Sequence, residues 1–301
     1  MADALSLRTI ETDHIRVVVA PERGARIASL IDRRTGRDWL AQGEAPLREE
    51  PHARYGLAEA AGWDECFPTV SPCAIAGAPW AGHLRDHGEL WGRRWSVDEA
   101  GERRLATTYN AEAFRFTRVL FLDGATLEVN YRVDNLTAEP MPILWAMHPL
   151  FALRPGERIE LPGPGALVPT YLSTASGADR LAPVPWPGGD DRIPFAIDHV
   201  QSAAARFAGK FFAAGEVRGA RLGGPTEWLE MSWRDFTSAG IWITYGAWPS
   251  PNDVVHIAIE PTTSPDDRLS AAIERGRALT LGPQGSAAWS VSLSLPARLN
   301  E

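Results

Sequence analysis

The chain is 301 residues long, 45% hydrophobic and 23% charged, with a formal net charge of -8. That hydrophobic fraction fills a core and excludes a disordered chain, and the acidic balance lacks the basic face that nucleic acid requires. No apolar run approaches the roughly 18 residues that span a bilayer, so neither nucleic acid nor membrane is an expected partner.

The 27 glycines and 24 prolines are spread along the whole length, which marks turns between many short elements. In chain order, Ile15–Val19 and Arg26–Ile31 are the first strand-like runs, and Arg34-Thr35-Gly36 is the first turn signal. Glu99-Ala100-Gly101 is another turn. Phe114–Leu122 follows as a strand, then Leu127–Val133, in which odd positions are apolar and even positions polar. Asp123-Gly124 between them is the strongest hairpin signal, and Asp134-Asn135-Leu136-Thr137 supplies turn chemistry. Residues 154–200 are rich in Pro and Gly but have strands of the same character on both sides. They read as a long excursion within one domain spanning residues 1–301. Ile241–Tyr245 is strand-like again, and Pro283-Gln284-Gly285 is a turn. At the end Trp289, Val291, Leu293 and Leu295 alternate with Ser290, Ser292 and Ser294. There is no strand–helix alternation and no long amphipathic helix. The pattern predicts an all-β fold, a large antiparallel β-sandwich.

Two cysteines, Cys66 and Cys73, cannot staple a chain of this length. With no secretory signal in Met1–Thr12, a cytoplasmic protein is expected, as monomer or homodimer. Lys210 is the only lysine. Gly209-Lys210-Phe211 lacks the frame of a P-loop, and Lys210 is the single residue able to form a Schiff base.

Several of the twelve tryptophans sit beside polar groups: Trp63 in Gly62-Trp63-Asp64-Glu65, Trp91 in His87-Gly88-Glu89-Leu90-Trp91, and Trp248 in Ala247-Trp248-Pro249. Indole faces stack on the C–H faces of sugars, and neighbouring charged groups bind the hydroxyls. The bland alternative for each is a core tryptophan. His83 and His87 would share a helix face as metal ligands, but Gly82 and Gly88 argue for a loop, so neither metal nor organic cofactor is expected. His148, among apolar residues, is either a satisfied core histidine or an imidazole tuned for proton transfer. In Val255–Glu260 alternation puts His256 and Glu260 on one face. A carboxylate ending an apolar strand needs a partner or a task, either a salt bridge or, with a histidine on another strand, acid–base chemistry.

These residues resemble the aldose 1-epimerase (galactose mutarotase-like) family. The resemblance runs in order through Gly24-Ala25-Arg26-Ile27, Asp86-His87-Gly88-Glu89-Leu90-Trp91, His148-Pro149-Leu150-Phe151 and Ile259-Glu260-Pro261. It implies a β-supersandwich that binds a monosaccharide or modified sugar and interconverts its α and β anomers. By motif Glu260 is similar to the family's base and His148 to its acid, with His87 near the ring oxygen. Arg26, Asp64, Trp63, Trp91, Glu89 and Trp242 are the further expected substrate contacts. Where galactose mutarotases carry an Asn-Arg pair, a His-Gly-Gly-like segment and an Asn-His-Ser/Thr-Tyr-Phe-like segment, this chain reads Gly-Ala-Arg-Ile, His-Gly-Glu-Leu-Trp and Met-His-Pro-Leu-Phe. That marks an outlying branch. The alternatives are a non-catalytic sugar-binding or regulatory protein, a hexose-phosphate mutarotase with an arginine clamp, and a glycoside hydrolase or lyase. The last would pair Asp64-Glu65 with Glu260.

Overall fold

Alternation decides which face each strand turns inward. In Thr126–Asn135 the side chains of Leu127, Val129, Tyr131 and Val133 are buried while Asn130 and Arg132 are exposed. This strand pairs residue for residue with Phe114–Asp123 through a two-residue loop. Gly124 supplies the positive φ of +55° that the loop needs. The computed structural model describes residues 6–43, 47–50, 52–175 and 181–296; the ends of the expected 1–301 domain lie outside them.

Nineteen of the 23 described strands form two large antiparallel sheets, and the other four make two two-stranded ribbons. The smaller has eight strands, in the order Arg158–Glu160, Gly219–Gly223, Trp228–Trp233, Ser286–Ser294, Thr126–Asn135, Phe114–Asp123, Arg104–Asn110 and Ser96–Ala100. The larger has eleven. Its main path runs Arg8–Glu11, Ile15–Ala20, Arg26–Asp32, Trp63–Cys66, Ala146–Pro149, Val255–Thr262, Ser238–Tyr245, Phe207–Ala213, Ala166–Leu172 and Val184–Pro185, and Arg37–Asp38 pairs off Arg26–Asp32. The Pro- and Gly-rich stretch 154–200 thus supplies strands to both sheets, two of them at sheet ends; Pro185 lies in one of these, where its missing N–H breaks no ladder. One α-helix is described, Leu269–Glu274, and no helix among the described residues is long and apolar enough to cross a membrane.

One hydrophobic core lies between the sheets. Ile241, Ile243, Ile257 and Ile259 of the larger sheet belong to the same cluster as Val129, Tyr131 and Leu293 of the smaller, each such aliphatic burial being worth about 1.5–3 kcal/mol. A polar clamp crosses this core. Glu65 accepts bonds from Arg118 (3.0 Å), Tyr131 Oη (3.0 Å), Trp63 Nε1 (3.1 Å) and Trp145 Nε1 (2.9 Å). Arg118 and Tyr131 belong to the smaller sheet, Glu65 and Trp63 to the larger.

Candidate active site

In the central strands of the larger sheet the isoleucines at 241, 243, 257 and 259 face the core, so Trp242, His256, Ala258 and Glu260 turn to the opposite face. Register carries this face across the sheet: Asp64 pairs with His148, Glu260 with Gly240, Ala258 with Trp242, Trp242 with Lys210 and Lys210 with Tyr171. The face opens on a cavity of about 690 Å³ whose walls include His87, His148, Lys210, Trp242, His256 and Glu260.

Glu260 is fully buried and bonded to Lys210 Nζ. A second carboxylate, Asp267, stands 3.8 Å from the same ammonium and accepts a bond from Thr170 Oγ1 (2.9 Å). Burial pushes the Glu260 carboxyl up and Lys210 pulls it back, leaving it above the ordinary range. Burial works against the Lys210 cation, but Glu260 and Asp267 more than restore it. Gly240, opposite Glu260, makes room for this pair: a Cβ there would lie 2.9 Å from Glu260 Oε2 and 3.2 Å from Lys210 Nζ. The other oxygen, Oε1, is buried without a hydrogen-bond partner among the described residues and lies 3.8 Å from His148 Nε2.

His148 is buried. Burial first, and then the neighbouring His87 and Lys210, hold it well below the ordinary histidine range, so it is neutral at pH 7. His87 stands edge-on to it with ring centroids 4.9 Å apart. Its Nδ1 bonds the Asp86 carboxylate at 2.9 Å, and its ring stacks on Tyr55 (4.1 Å, 15°). The loop reaches this position because Gly88 packs against Phe67, where any Cβ would collide with the Phe67 carbonyl. His87 itself holds a φ of +59°, which a non-glycine residue adopts at a cost. Beneath lies the buried ion pair of Arg26 and Asp64, with Tyr55 Oη bonded to Asp64 at 3.1 Å. Trp242 forms another wall, its indole N–H donated to the buried His256 at 3.1 Å. That burial pushes His256 down to about 4.

Of the expected site residues, Glu260, His148, His87 and Trp242 line the cavity. Arg26 and Asp64 form the layer behind, and Trp91 packs edge-on to Tyr55 (5.2 Å) while donating its N–H to the Asp86 carbonyl (2.7 Å). Trp63 and Glu89 are not brought in. Trp63 is adjacent to Asp64 on one strand, and opposite parity sends its indole into the core to Glu65. Glu89 turns outward to Arg93 at 2.8 Å. The same parity removes Glu65 from any carboxylate pair with Glu260. His83 faces His52 (5.1 Å). The sequence reading missed Asp267 and Tyr55 and gave Lys210 no role. For Lys210 the signal was there, a lone lysine in Phe207-Ala208-Gly209-Lys210-Phe211-Phe212. For Asp267, in Ser264-Pro265-Asp266-Asp267, nothing distinguishes a site from a turn.

The chain matches no family model and no curated protein, but solved structures share its fold. A candidate aldose 1-epimerase from Escherichia coli K12 superposes with a TM-score of 0.72 at 17% identity, over 98% of this chain and 100% of that one. A galactose mutarotase related enzyme from Lactobacillus acidophilus gives 0.68 at 18% identity, over 98% and 99%. A galactose mutarotase-like protein from Lactobacillus casei ATCC 334 gives 0.66 at 18%, over 97% and 100%. The fold is the galactose mutarotase-like sandwich, and at these identities the likeness establishes the fold alone.

Proposed function

We propose that this sandwich is one domain acting as an aldose 1-epimerase, interconverting the anomers of an aldose by acid–base ring opening. The observation that carries the reading is Glu260 Oε1, a buried carboxylate oxygen without a partner among the described residues, 3.8 Å from a neutral imidazole in a cavity wall. An unpartnered buried acceptor costs about 1–3 kcal/mol, and a sugar hydroxyl supplies the missing donor.

Glu260 takes the proton of the anomeric hydroxyl. The O1 electrons form the carbonyl, the C1–O5 bond breaks, and O5 takes a proton from the histidine pair. Rotation about C1–C2 presents the other carbonyl face. O5 then attacks C1, returns its proton to the histidine, and Glu260 returns its own to O1. No step needs a metal or an organic cofactor. The expectation from sequence gives the acid role to His148 alone. A neutral His148 suits a hydrogen bond to O5, and His87, oriented by Asp86, suits delivery of the proton.

The test is anomer exchange followed by NMR, with thermal melts and sugar binding measured on each variant. A positioned acid or base contributes about 10²- to 10⁴-fold, so Glu260→Gln and His87→Asn each lose that much while remaining folded. Near wild-type exchange in folded Glu260→Gln defeats the epimerase reading. Binding of sugars by the wild type without any exchange makes it a binding protein instead.

A further inference from the structure

We infer that the substrate is longer than one sugar ring: the cavity is built for the reducing end of an oligosaccharide, with its second ring on an aromatic platform formed by Trp242 and Tyr171. This rests on the epimerase reading of the same site.

The reacting end lies at Glu260. Tyr171 also lines the cavity but stands three strands away, and strands spaced by about 4.8 Å put it roughly 14 Å across the sheet. Its register row, shared with Lys210, Trp242 and Ala258, is two residues from Glu260, a further shift of about 7 Å along the strand. The backbone of Tyr171 thus lies farther from Glu260 than the width of one pyranose. The cavity of about 690 Å³ falls mid-range for drug-sized ligands, roughly 300–1,000 Å³, and exceeds what a single hexose fills.

The far end is a prepared surface. Tyr171 is 42% exposed, and its ring lies nearly parallel to Trp242 (23°, centroids 6.1 Å apart). Trp242 is fixed by its bond to His256, and Trp248 stands edge-on to it at 5.6 Å. The loop carrying Trp248 is tied by Asn252, whose amide donates to the Trp248 carbonyl (2.6 Å) and whose Oδ1 accepts from the Val254 N–H (2.8 Å). Flat aromatic faces held in advance suit the C–H face of a pyranose and cost little ordering on binding.

The chemistry also fixes where the second ring attaches. Ring opening requires a free hydroxyl at C1, so the extension leaves through another hydroxyl of the first ring, and the ligand is a reducing sugar. A phosphate on that hydroxyl fits less well. Asp266 and Asp267 line this rim, Arg275 is bonded to Asp266, and Lys210 is held between Glu260 and Asp267. Arg268 lies on the same rim, so a phosphate arm belongs in the experiment.

Anomer exchange is measured for glucose, glucose 6-phosphate, maltose and cellobiose with wild type and Tyr171→Ala. The expected wild-type result is a kcat/KM about tenfold higher for at least one disaccharide than for glucose, and Tyr171→Ala collapses that ratio through KM. A ratio of one or less in the wild type, a ratio unchanged in Tyr171→Ala, or a preference for the 6-phosphate overturns the inference while leaving the epimerase intact. If no sugar is exchanged, the epimerase reading fails, and dissociation constants then decide: tighter binding of a disaccharide than of glucose, weakened in Tyr171→Ala, supports the two-ring site, and equal binding overturns it.

Discussion

Buried alone, either Glu260 or Lys210 carries a desolvation cost of several kcal/mol; bonded to each other, each offsets part of the other's cost. Lys210 thereby pulls the carboxyl back towards its deprotonated form in a site whose burial pushes it up. A base works only when deprotonated, so activity is lost as pH falls through the Glu260 pKa, which already lies above its usual 4.5. Lys210→Met removes the opposing cation. The acid limb of the kcat/KM profile then moves to higher pH and the rate at pH 7 falls; an unmoved profile removes Lys210 from this role. His256 shows the reverse sign. Its folded value of about 4 lies below the unfolded 6.5, so the unfolded chain binds the extra proton and stability is lost as pH falls from 6.5 towards 4. The loss is about 3 kcal/mol. In His256→Phe, which keeps a ring but cannot titrate, melting temperature between pH 7 and 4 is expected to decline less than in the wild type; an equal decline counts against the assignment.

Single strands account for both what the sequence shows and what it hides. Thr126–Asn135 and Ser286–Ser294 are legible because one face is wet and one dry. Phe207–Ala213 and Val255–Thr262 are covered on both faces, by core on one side and cavity wall on the other, so buried residues run on with almost no break. In Phe207–Ala213 period two is erased, and Lys210 with it, whereas in Val255–Thr262 only the polar His256 and Glu260 still mark it. Parity nonetheless remained usable: with Asp64 facing the site, Trp63 and Glu65 had to face the core. Asp267 and Tyr55 come from loops, where no periodicity exists to read. Gly240 belongs to this scale too. Alanine in a strand interior ordinarily gains stability over glycine, but here its Cβ meets the Glu260 carboxylate and the Lys210 ammonium. Gly240→Ala should therefore lower kcat by at least about tenfold through displacement of the base, with a folded protein by circular dichroism; wild-type kcat shows that the pair has room to spare.

Across the whole molecule, one short strand joins the two halves of the design. Asp64 supports the histidine end of the site, and the next residue, Glu65, clamps the sheets together through Arg118 and Tyr131. Burial still pushes Glu65 up to about 7 despite Arg118, so the clamp depends on its cation. Arg118→Met strands a buried carboxylate and is expected to cost about 3–5 kcal/mol. Glu65→Gln in the same chain should recover part of that loss. Both are read from urea midpoints at constant m-value. A loss below 1 kcal/mol in Arg118→Met means that packing alone holds the sheets.

Reducing sugars in their open form condense with amines, and proteins bathed in them accumulate adducts on surface lysines. This chain has one lysine among its thirty basic residues, and that one is buried against Glu260 with its proton held in place. Its exterior cations are guanidinium groups. Prolonged incubation with a reducing sugar should therefore leave the mass of the folded protein almost unchanged, apart from the terminal amine, whereas Glu260→Gln with Asp267→Asn, which removes both carboxylates that hold the Lys210 proton, should become trappable by borohydride at that one residue.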